Sequence, residues 1–197
     1  MKGVRIASAL AVLALAATAA DAQTPMRVRG TITAIDGSVL SVKARDGKDL
    51  KLNLADDVGV GVAKAIKFED IKQGDYVGST TTKRTDGMLV ALEVHYLAPA
   101  VPPGHIPWDL EPGSMMTNAN VEAIVQAAGT RELTLKYKDG MQKILVPDGT
   151  PLVRAVPGSR SDLKVGEYVF AVAQVAPDGK IMVPRLQVSK DGVKPPQ

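Results

Sequence analysis

Apolar and polar residues alternate along much of the chain. The alternation is strict over residues 50–54 and 133–137, and a period of two is typical of half-buried β-strands. Asp-Gly pairs separate the alternating runs, and such pairs supply the positive φ angles of tight hairpin turns. The pattern predicts ten strands, near residues 27–35, 38–44, 48–54, 75–83, 88–96, 119–128, 131–138, 141–146, 167–175 and 180–189.

The ten strands fall into two copies of one pattern. Residues 71–79 (IKQGDYVGS) align with residues 163–171 (LKVGEYVFA) at a spacing of 92. Residues 41–47 likewise match residues 134–140, with the small change in spacing that a difference in loop length produces. A repeat of this length predicts two similar domains rather than a solenoid of short units.

Each copy has three meander strands, a longer connection and a hairpin, which is the strand plan of an OB-like small barrel. In the first copy the connection could hold a short helix around residues 62–72. The predicted fold class is all-β, with two tandem five-stranded OB-like small barrels joined by a Pro-rich strap; a single sandwich is the alternative. The predicted domains are a signal peptide (1–22), a first barrel repeat (26–97), an inter-domain strap (98–117), a second barrel repeat (118–191) and a tail (192–197).

The first 22 residues have the pattern of a secretory signal peptide. Lys2 and Arg5 precede an apolar stretch, and Ala20-Asp21-Ala22 forms a small-residue cleavage signal. A retained membrane anchor is the alternative, although a membrane span needs roughly 20 apolar residues. The pattern predicts a periplasmic or secreted protein with no membrane span after cleavage.

Composition narrows the function classes. The chain carries 24 basic and 21 acidic residues and no cysteine, so disulfides cannot support the fold. A charge balance this close to neutral gives no general attraction for nucleic acid, and we expect no nucleic-acid partner. Tyr76 and Tyr168 occupy equivalent repeat positions and are interpreted as core residues rather than base-stacking platforms.

Catalytic chemistry finds little support in the sequence. A serine-type nucleophile needs a neighbouring base, and His95 is predicted to lie on a solvated strand face, opposite Val94. No G-x-S-x-G motif accompanies it. The carboxylate pairs at residues 56–57 and 69–70 are interpreted as solvated turn residues. We therefore expect a protein that is not an enzyme.

The segment HIPWDLEPGSMM, residues 105–116, stands between the two copies and contains the only tryptophan of the chain. A Pro-rich segment is extended and semi-rigid, and a tryptophan buries a large apolar area. The favoured interpretation is a strap that packs into the cleft between the barrels and fixes their orientation, without a cofactor. Its packing residues would be Ile106, Trp108, Leu110 and Met115.

A copper site is the alternative interpretation of the same segment. Thioether sulfur and imidazole nitrogen suit Cu(I), and an indole face can cap a cation. The predicted ligands are His105, Met115 and Met116, with Trp108 as the cap. This inventory is similar to the Met-Met-His-Trp site of periplasmic copper chaperones of the small-barrel type, in which the residues project from barrel strands.

Several segments resemble a family of proteobacterial secreted proteins of unknown function, built as tandem small β-barrels and often labelled automatically as metal ABC transporter permeases. The resemblance rests on RVRGTITAIDG, IKQGDYVGS, PWDLEPGSMMTNANV, RELTLKYKDG and KILVPDGTP and covers nearly the whole chain after residue 22. It implies the barrel fold and no specific activity. A permease would need several membrane-spanning helices, and the sequence has one cleavable apolar segment.

The sequence thus predicts a periplasmic, non-enzymatic binding or structural module that acts through its inter-barrel segment. Its partner would be an unknown periplasmic protein or a small ligand. The alternatives are a periplasmic copper(I) carrier that uses the strap residues, and a secreted enzyme with an unrecognised site.

Overall fold

A computed structural model describes residues 24–127 and 129–196 of the protein. The predicted signal peptide lies outside these residues. Within them the chain forms twelve β-strands, and the predicted all-β class is confirmed. The strands are β1 (Thr24–Asp36), β2 (Val39–Ala44), β3 (Asp49–Ala65), β4 (Tyr76–Lys83), β5 (Leu89–Tyr96), β6 (Gly104–Pro107), β7 (Met115–Ala127), β8 (Thr130–Tyr137), β9 (Gly140–Leu145), β10 (Leu152–Pro157), β11 (Tyr168–Val175) and β12 (Ile181–Val188).

The helical content of the described ranges is small. Two 3₁₀ helices occupy Phe68–Asp70 and Arg160–Asp162, and no helix there is long and apolar enough to cross a membrane. The short helix expected around residues 62–72 is present only as the 3₁₀ helix Phe68–Asp70, and the start of that range belongs to β3, which continues to Ala65. The end of β3 pairs with β10, a partner about ninety residues away that local sequence does not reveal.

The first barrel closes through strands from both ends of the chain. β1 pairs with β2 and β2 with β3, as the meander predicts. β1 then pairs with β11, for example Val28 with Ala171, and β3 pairs in parallel with β12, for example Leu52 with Ile181. Since β11 also pairs with β12, the five strands form a closed ring.

The second barrel has the same pairing plan. β7, β8 and β9 form its meander, β4 pairs with β7, and β5 pairs in parallel with β9. Each barrel therefore takes three strands from one copy of the repeat and two from the other. The assignment of residues 26–97 to one barrel and 118–191 to the other is corrected here, because the copies exchange their last two strands. The OB-like assignment stays a prediction.

An antiparallel ribbon of β3 and β10 joins the two barrels. At its centre Ala63 lies opposite Ala155, 92 residues later in the chain. On either side of this pair, Val60 pairs with Leu186 and Val94 pairs with Leu152. The two pairs are equivalent, because Leu152 follows Val60 by 92 residues and Leu186 follows Val94 by the same number. The two barrels are thus related by an approximate two-fold axis through the alanine pair.

Each barrel has its own hydrophobic core. The first contains Val28, Leu40, Leu52, Val169 and Leu186, and the second contains Phe68, Val77, Val94, Leu133 and Ile144. Burial of these apolar side chains is the main force that closes the rings. Gly30 permits the closest strand approach, because a Cβ atom there would lie 2.3 Å from the carbonyl oxygen of Lys43.

Candidate functional site: a cleft between the barrels beneath the strap

The strap connects two strands of the same barrel. It leaves β5 and returns as β6, which pairs with β7, and both β5 and β7 belong to the second barrel. The prediction of an inter-domain linker over residues 98–117 is therefore corrected. Met115 and Met116 are the first residues of β7, so they project from a barrel strand rather than from a linker.

The tip of the strap, residues 108–110, crosses to the first barrel. The Asp109 carboxylate accepts two hydrogen bonds from the Arg29 guanidinium, at 3.0 and 2.9 Å. Arg45 donates to the carbonyl oxygens of Asp109 and Leu110, and the guanidinium of Arg27 lies 4.0 Å from the centre of the Trp108 ring. The tip is therefore held by three arginines of the first barrel.

Electrostatics favour the charged form of the Asp109 side chain. Hydrogen bonds from Arg29 and the positive charges of Arg29 and Arg27 lower the pKa of Asp109, against a smaller opposing effect of burial. Arg29 is only 5% exposed, and a buried guanidinium requires such a partner. The ion pair therefore anchors the strap tip to a buried residue of the first barrel.

A turn positions the tip. The backbone N–H of Trp108 donates to the Ser114 carbonyl oxygen at 2.9 Å, and the Ser114 hydroxyl donates to the Trp108 carbonyl oxygen at 3.0 Å. Gly113 completes the turn with a φ of 74°, a conformation that glycine adopts without a steric penalty. These bonds place the indole over the first barrel.

A cleft of about 950 Å³ lies between the barrels beneath the strap. Its volume is that of a small-molecule site. It opens to solvent beside Arg154, Ala155 and Arg185, which are exposed. Most lining side chains are apolar, and they include Leu97, Val101, Trp108, Met116, Phe170 and Pro196. The polar lining side chains are His95, Tyr96, Asn118, Arg154, Arg185 and Gln187.

Three buried side-chain atoms have no hydrogen-bond partner within the described part of the chain. They are Nδ1 of His95, Oε1 of Gln187 and Nε of Arg29. His95 and Gln187 line the cleft, and Arg29 lies 5.2 Å over the ring of Phe170, which also lines it. Two of the three residues, His95 and Gln187, therefore line one cavity, and Arg29 lies behind Phe170 of its wall.

His95 and Gln187 occupy equivalent positions in the two barrels, 92 residues apart. His95 lies opposite Gly78 on β4, and Gln187 lies opposite Phe170 on β11. A Cβ atom at Gly78 would lie 2.6 Å from Nε2 of His95, so the glycine leaves room for the imidazole. The approximate two-fold axis thus brings one polar side chain from each barrel to the cleft.

His95 is neutral at pH 7. Burial lowers its pKa from 6.5 to about 4, because an imidazolium loses hydration in the interior. Its Nδ1 lies 3.8 Å from Oε1 of Glu93, a separation that would be an ion pair if the ring were protonated. We favour the neutral ring, since desolvation is the dominant effect, and Glu93 already accepts a hydrogen bond from Thr80 at 2.9 Å.

The prediction that His95 lies on a solvated strand face is wrong, since the residue is 7% exposed. His95 does lie on the face opposite the core residue Val94, as the alternation predicts. That outer face is covered by the rest of the molecule at the cleft, so the residue is buried. This cover is not visible in the local sequence.

The four residues predicted to pack the strap are placed differently from one another. Trp108 is half-buried and lines the cleft, and Leu110 and Met115 are also half-buried. Ile106 is 45% exposed, so its predicted packing into the cleft is wrong. It lies on β6, for which β7 is the only paired strand in the described residues, and this edge position leaves its side chain open to water.

The predicted copper ligands do not share one face. Met116 is 3% exposed and lines the cleft with Trp108. Met115 points to the other face of the strand, because neighbouring residues of a strand point to opposite faces. Nδ1 of His105 lies 2.8 Å from the Thr117 hydroxyl, and its ring stacks on Tyr137. Copper binding at these residues stays a prediction that this geometry does not favour.

The tyrosine and carboxylate residues considered in the sequence analysis lie outside the cleft lining. The hydroxyl of Tyr76 donates to the carbonyl oxygen of Val101 at 2.7 Å, which ties the start of the strap to β4. Asp56, Asp57 and Glu69 are exposed. In the described ranges, no group of three or more His, Cys, Asp or Glu side chains is placed to hold a metal ion.

Sequence reasoning missed four cleft residues: His95, Arg154, Arg185 and Gln187. One signal was present, since the spacing of 92 aligns His95 with Gln187. Two polar residues at equivalent strand positions indicate a shared environment. The arginines gave no signal, because their positions depend on long-range pairing, of β10 with β3 for Arg154 and of β12 with β3 for Arg185.

Comparison of the chain with protein-family models, with curated proteins and with solved structures finds no match. The resemblance to secreted small-barrel proteins therefore stays a prediction.

Proposed function

We propose that this protein is a non-enzymatic binding module, exported to the periplasm, that holds a small organic ligand in the cleft between its barrels. The observation that carries the proposal is that His95 and Gln187, which line one cavity, each have a buried side-chain atom without a hydrogen-bond partner in the described residues. Each unpaired buried group costs about 1–3 kcal/mol. A ligand that pairs with His95 and Gln187 would recover part of this cost.

The lining supports an organic ligand with an apolar body. Trp108 and Phe170 offer flat aromatic surfaces, and Met116 offers a flexible thioether that adapts to irregular shapes. Binding sites for small molecules combine such apolar walls with a few placed polar groups. The strap contributes one wall through Trp108, so the proposed module acts through the strap and the cleft together.

Export is part of the proposal because the first 22 residues have the signal-peptide pattern. A non-enzymatic role is supported by the surroundings of the two histidines. Nδ1 of His95 has no hydrogen-bond partner in the described residues, and Nδ1 of His105 contacts the hydroxyl of Thr117, which is fully buried and closed to a substrate. Nucleophilic catalysis requires a base positioned against its nucleophile.

The test uses phenylnaphthylamine, a neutral dye whose fluorescence rises in apolar surroundings. Trp108 is the only tryptophan of the chain, so energy transfer from tryptophan to the dye reports binding near the cleft. We expect saturable transfer in the wild type. Ala155→Phe, which adds a ring to an exposed cleft residue, should weaken dye binding at least tenfold.

The matched control is Val165→Phe. Val165 is 63% exposed and lies outside the cleft lining, so the same aromatic ring there should leave the affinity unchanged. Both variants should unfold at the wild-type temperature. The proposal fails if the wild type shows no saturable transfer, or if the two variants bind the dye equally well.

A further inference from the structure

We propose that the ligand of the cleft is an organic anion, whose negative group is bound by Arg154 and Arg185. This inference rests on the proposed function and names the chemical class of its ligand. It starts from the charges of the lining. Both charged side chains there are arginines, and no Asp or Glu lines the cleft within the described residues.

The two cleft arginines differ from the other arginines that the structure describes. Arg27, Arg29, Arg84 and Arg131 each pair with an Asp carboxylate, and Arg45 and Arg160 donate to backbone carbonyl oxygens. Among residues 24–127 and 129–196, no acidic side chain lies within ion-pair distance of Arg154 or Arg185. Their charges are available to a ligand.

Arg154 is held in position without its charge being neutralised. Its guanidinium lies 4.1 Å from the centre of the Tyr96 ring, and both residues line the cleft. Stacking on an aromatic face orients the planar guanidinium. The hydroxyl of the same tyrosine donates a hydrogen bond to the Asp75 carboxylate at 2.6 Å, so the ring that carries the guanidinium is itself held in place.

Arg185 lies on the side of the first barrel. Gly59 is its partner on β3, and a Cβ atom at Gly59 would lie 3.5 Å from Cγ of Arg185. The stem of the arginine therefore lies over the glycine, and the guanidinium reaches the cleft opening. Guanidinium groups bind carboxylate, sulfonate and phosphate oxygens through paired N–H donors.

The apolar walls exclude a small inorganic anion as the whole ligand. Trp108, Met116 and Phe170 bury apolar surface only when an apolar body covers them. The lining thus combines arginines at the opening with an apolar interior, and this combination matches an amphipathic anion such as an aromatic or aliphatic carboxylate.

The experiment compares two dyes with the same ring system. Anilinonaphthalene sulfonate carries a negative group that phenylnaphthylamine lacks. Energy transfer from Trp108 gives the dissociation constant of each dye for the full chain at low salt. We expect the sulfonate to bind roughly tenfold more tightly or better, which corresponds to one charge-assisted interaction.

Arg154→Gln, Arg185→Gln and the double variant identify the source of the preference. Each should weaken sulfonate binding severalfold, the double variant should bind both dyes equally, and affinity for the neutral dye should not change. The control is Lys138→Gln, which removes a charge from an exposed turn outside the cleft and should leave the preference intact.

The outcomes separate the two proposals. If the neutral dye binds but the sulfonate is not preferred, or if the double variant keeps the preference, the anion assignment is overturned while the binding cleft stands. If Ala155→Phe leaves binding of the neutral dye unchanged, the cleft itself is overturned. If the Lys138→Gln control loses the preference, general electrostatic attraction rather than the two arginines explains it.

Discussion

At the scale of single residues, the cleft is lined by buried polar side chains whose hydrogen bonds are incomplete within the described residues. Buried polar atoms are almost always hydrogen-bonded, yet His95 and Gln187, which line the same cleft, each keep one atom unpaired within the described residues. His95 is neutral because burial lowers its pKa to about 4. An uncharged imidazole can exchange hydrogen bonds with a ligand without first losing a proton.

The buried state of His95 predicts a pH dependence of stability. The unfolded chain takes up a proton at the ordinary pKa near 6.5, whereas the folded protein does so only near 4. Stability from this residue is therefore fully present above pH 6.5 and is lost as the pH falls towards 4, by up to about 3 kcal/mol.

His95→Gln, which copies the residue at position 187, should flatten urea-unfolding stability over that pH range relative to the wild type. His105→Gln is the control and should keep most of the wild-type dependence, because His105 is only partly buried. An identical pH profile for wild type and His95→Gln would show that His95 is accessible to protons in the folded state.

At the scale of elements, the strap is the feature that breaks the approximate symmetry. Its tip contacts the first barrel through Arg27, Arg29 and Arg45, while its two ends belong to the second barrel. It therefore bridges the barrels at a second place, apart from the ribbon of β3 and β10. The strap also supplies Trp108 to the cleft wall.

Asp109→Ala tests this contact. The substitution leaves the 5% exposed Arg29 guanidinium without its bidentate partner, and we expect a loss of roughly 2 kcal/mol in unfolding free energy. Glu111→Ala is the control, since Glu111 is exposed and gives the turn only backbone hydrogen bonds. Equal losses for both variants, within about 0.5 kcal/mol, would contradict the bridging role.

Elements were easier to predict from the sequence than their partners. The alternation and the Asp-Gly turns correctly indicated ten of the strands, because each depends on neighbours within a few residues. β6 and β10 were missed. Pro151 precedes β10 and Pro157 ends it, both prolines resemble loop residues, and the pairing of β10 with β3 is long-range. Trp108 lines the cleft whereas Ile106 is exposed, a difference that the sequence does not predict, because burial on β6 depends on what covers that edge.

At the scale of the whole molecule, the exchange of strands unites the two barrels. Because the two copies of the repeat are similar, their equivalent strands could pair in either barrel. The local pattern that identifies β11 therefore does not predict whether β11 pairs with β1 or with β7. Exchange of equivalent elements is well known between protein subunits, and here it occurs within one chain. Because β5 and β12 cross to the other barrel, His95 and Gln187 reach the same cleft.

The strand exchange is the central claim, and engineered cysteine pairs test it directly in a chain that has no cysteine. Pro25 lies opposite Gln174, and directly opposed residues on antiparallel strands have the Cα spacing that a disulfide needs. We predict that Pro25→Cys with Gln174→Cys forms a disulfide within one chain on oxidation. Pro25→Cys with Thr82→Cys, the pair expected if each copy closed on itself, should stay reduced. Cross-linking of the Thr82 pair and not the Gln174 pair, read by peptide mapping without reductant, would contradict the exchange and the cleft built on it.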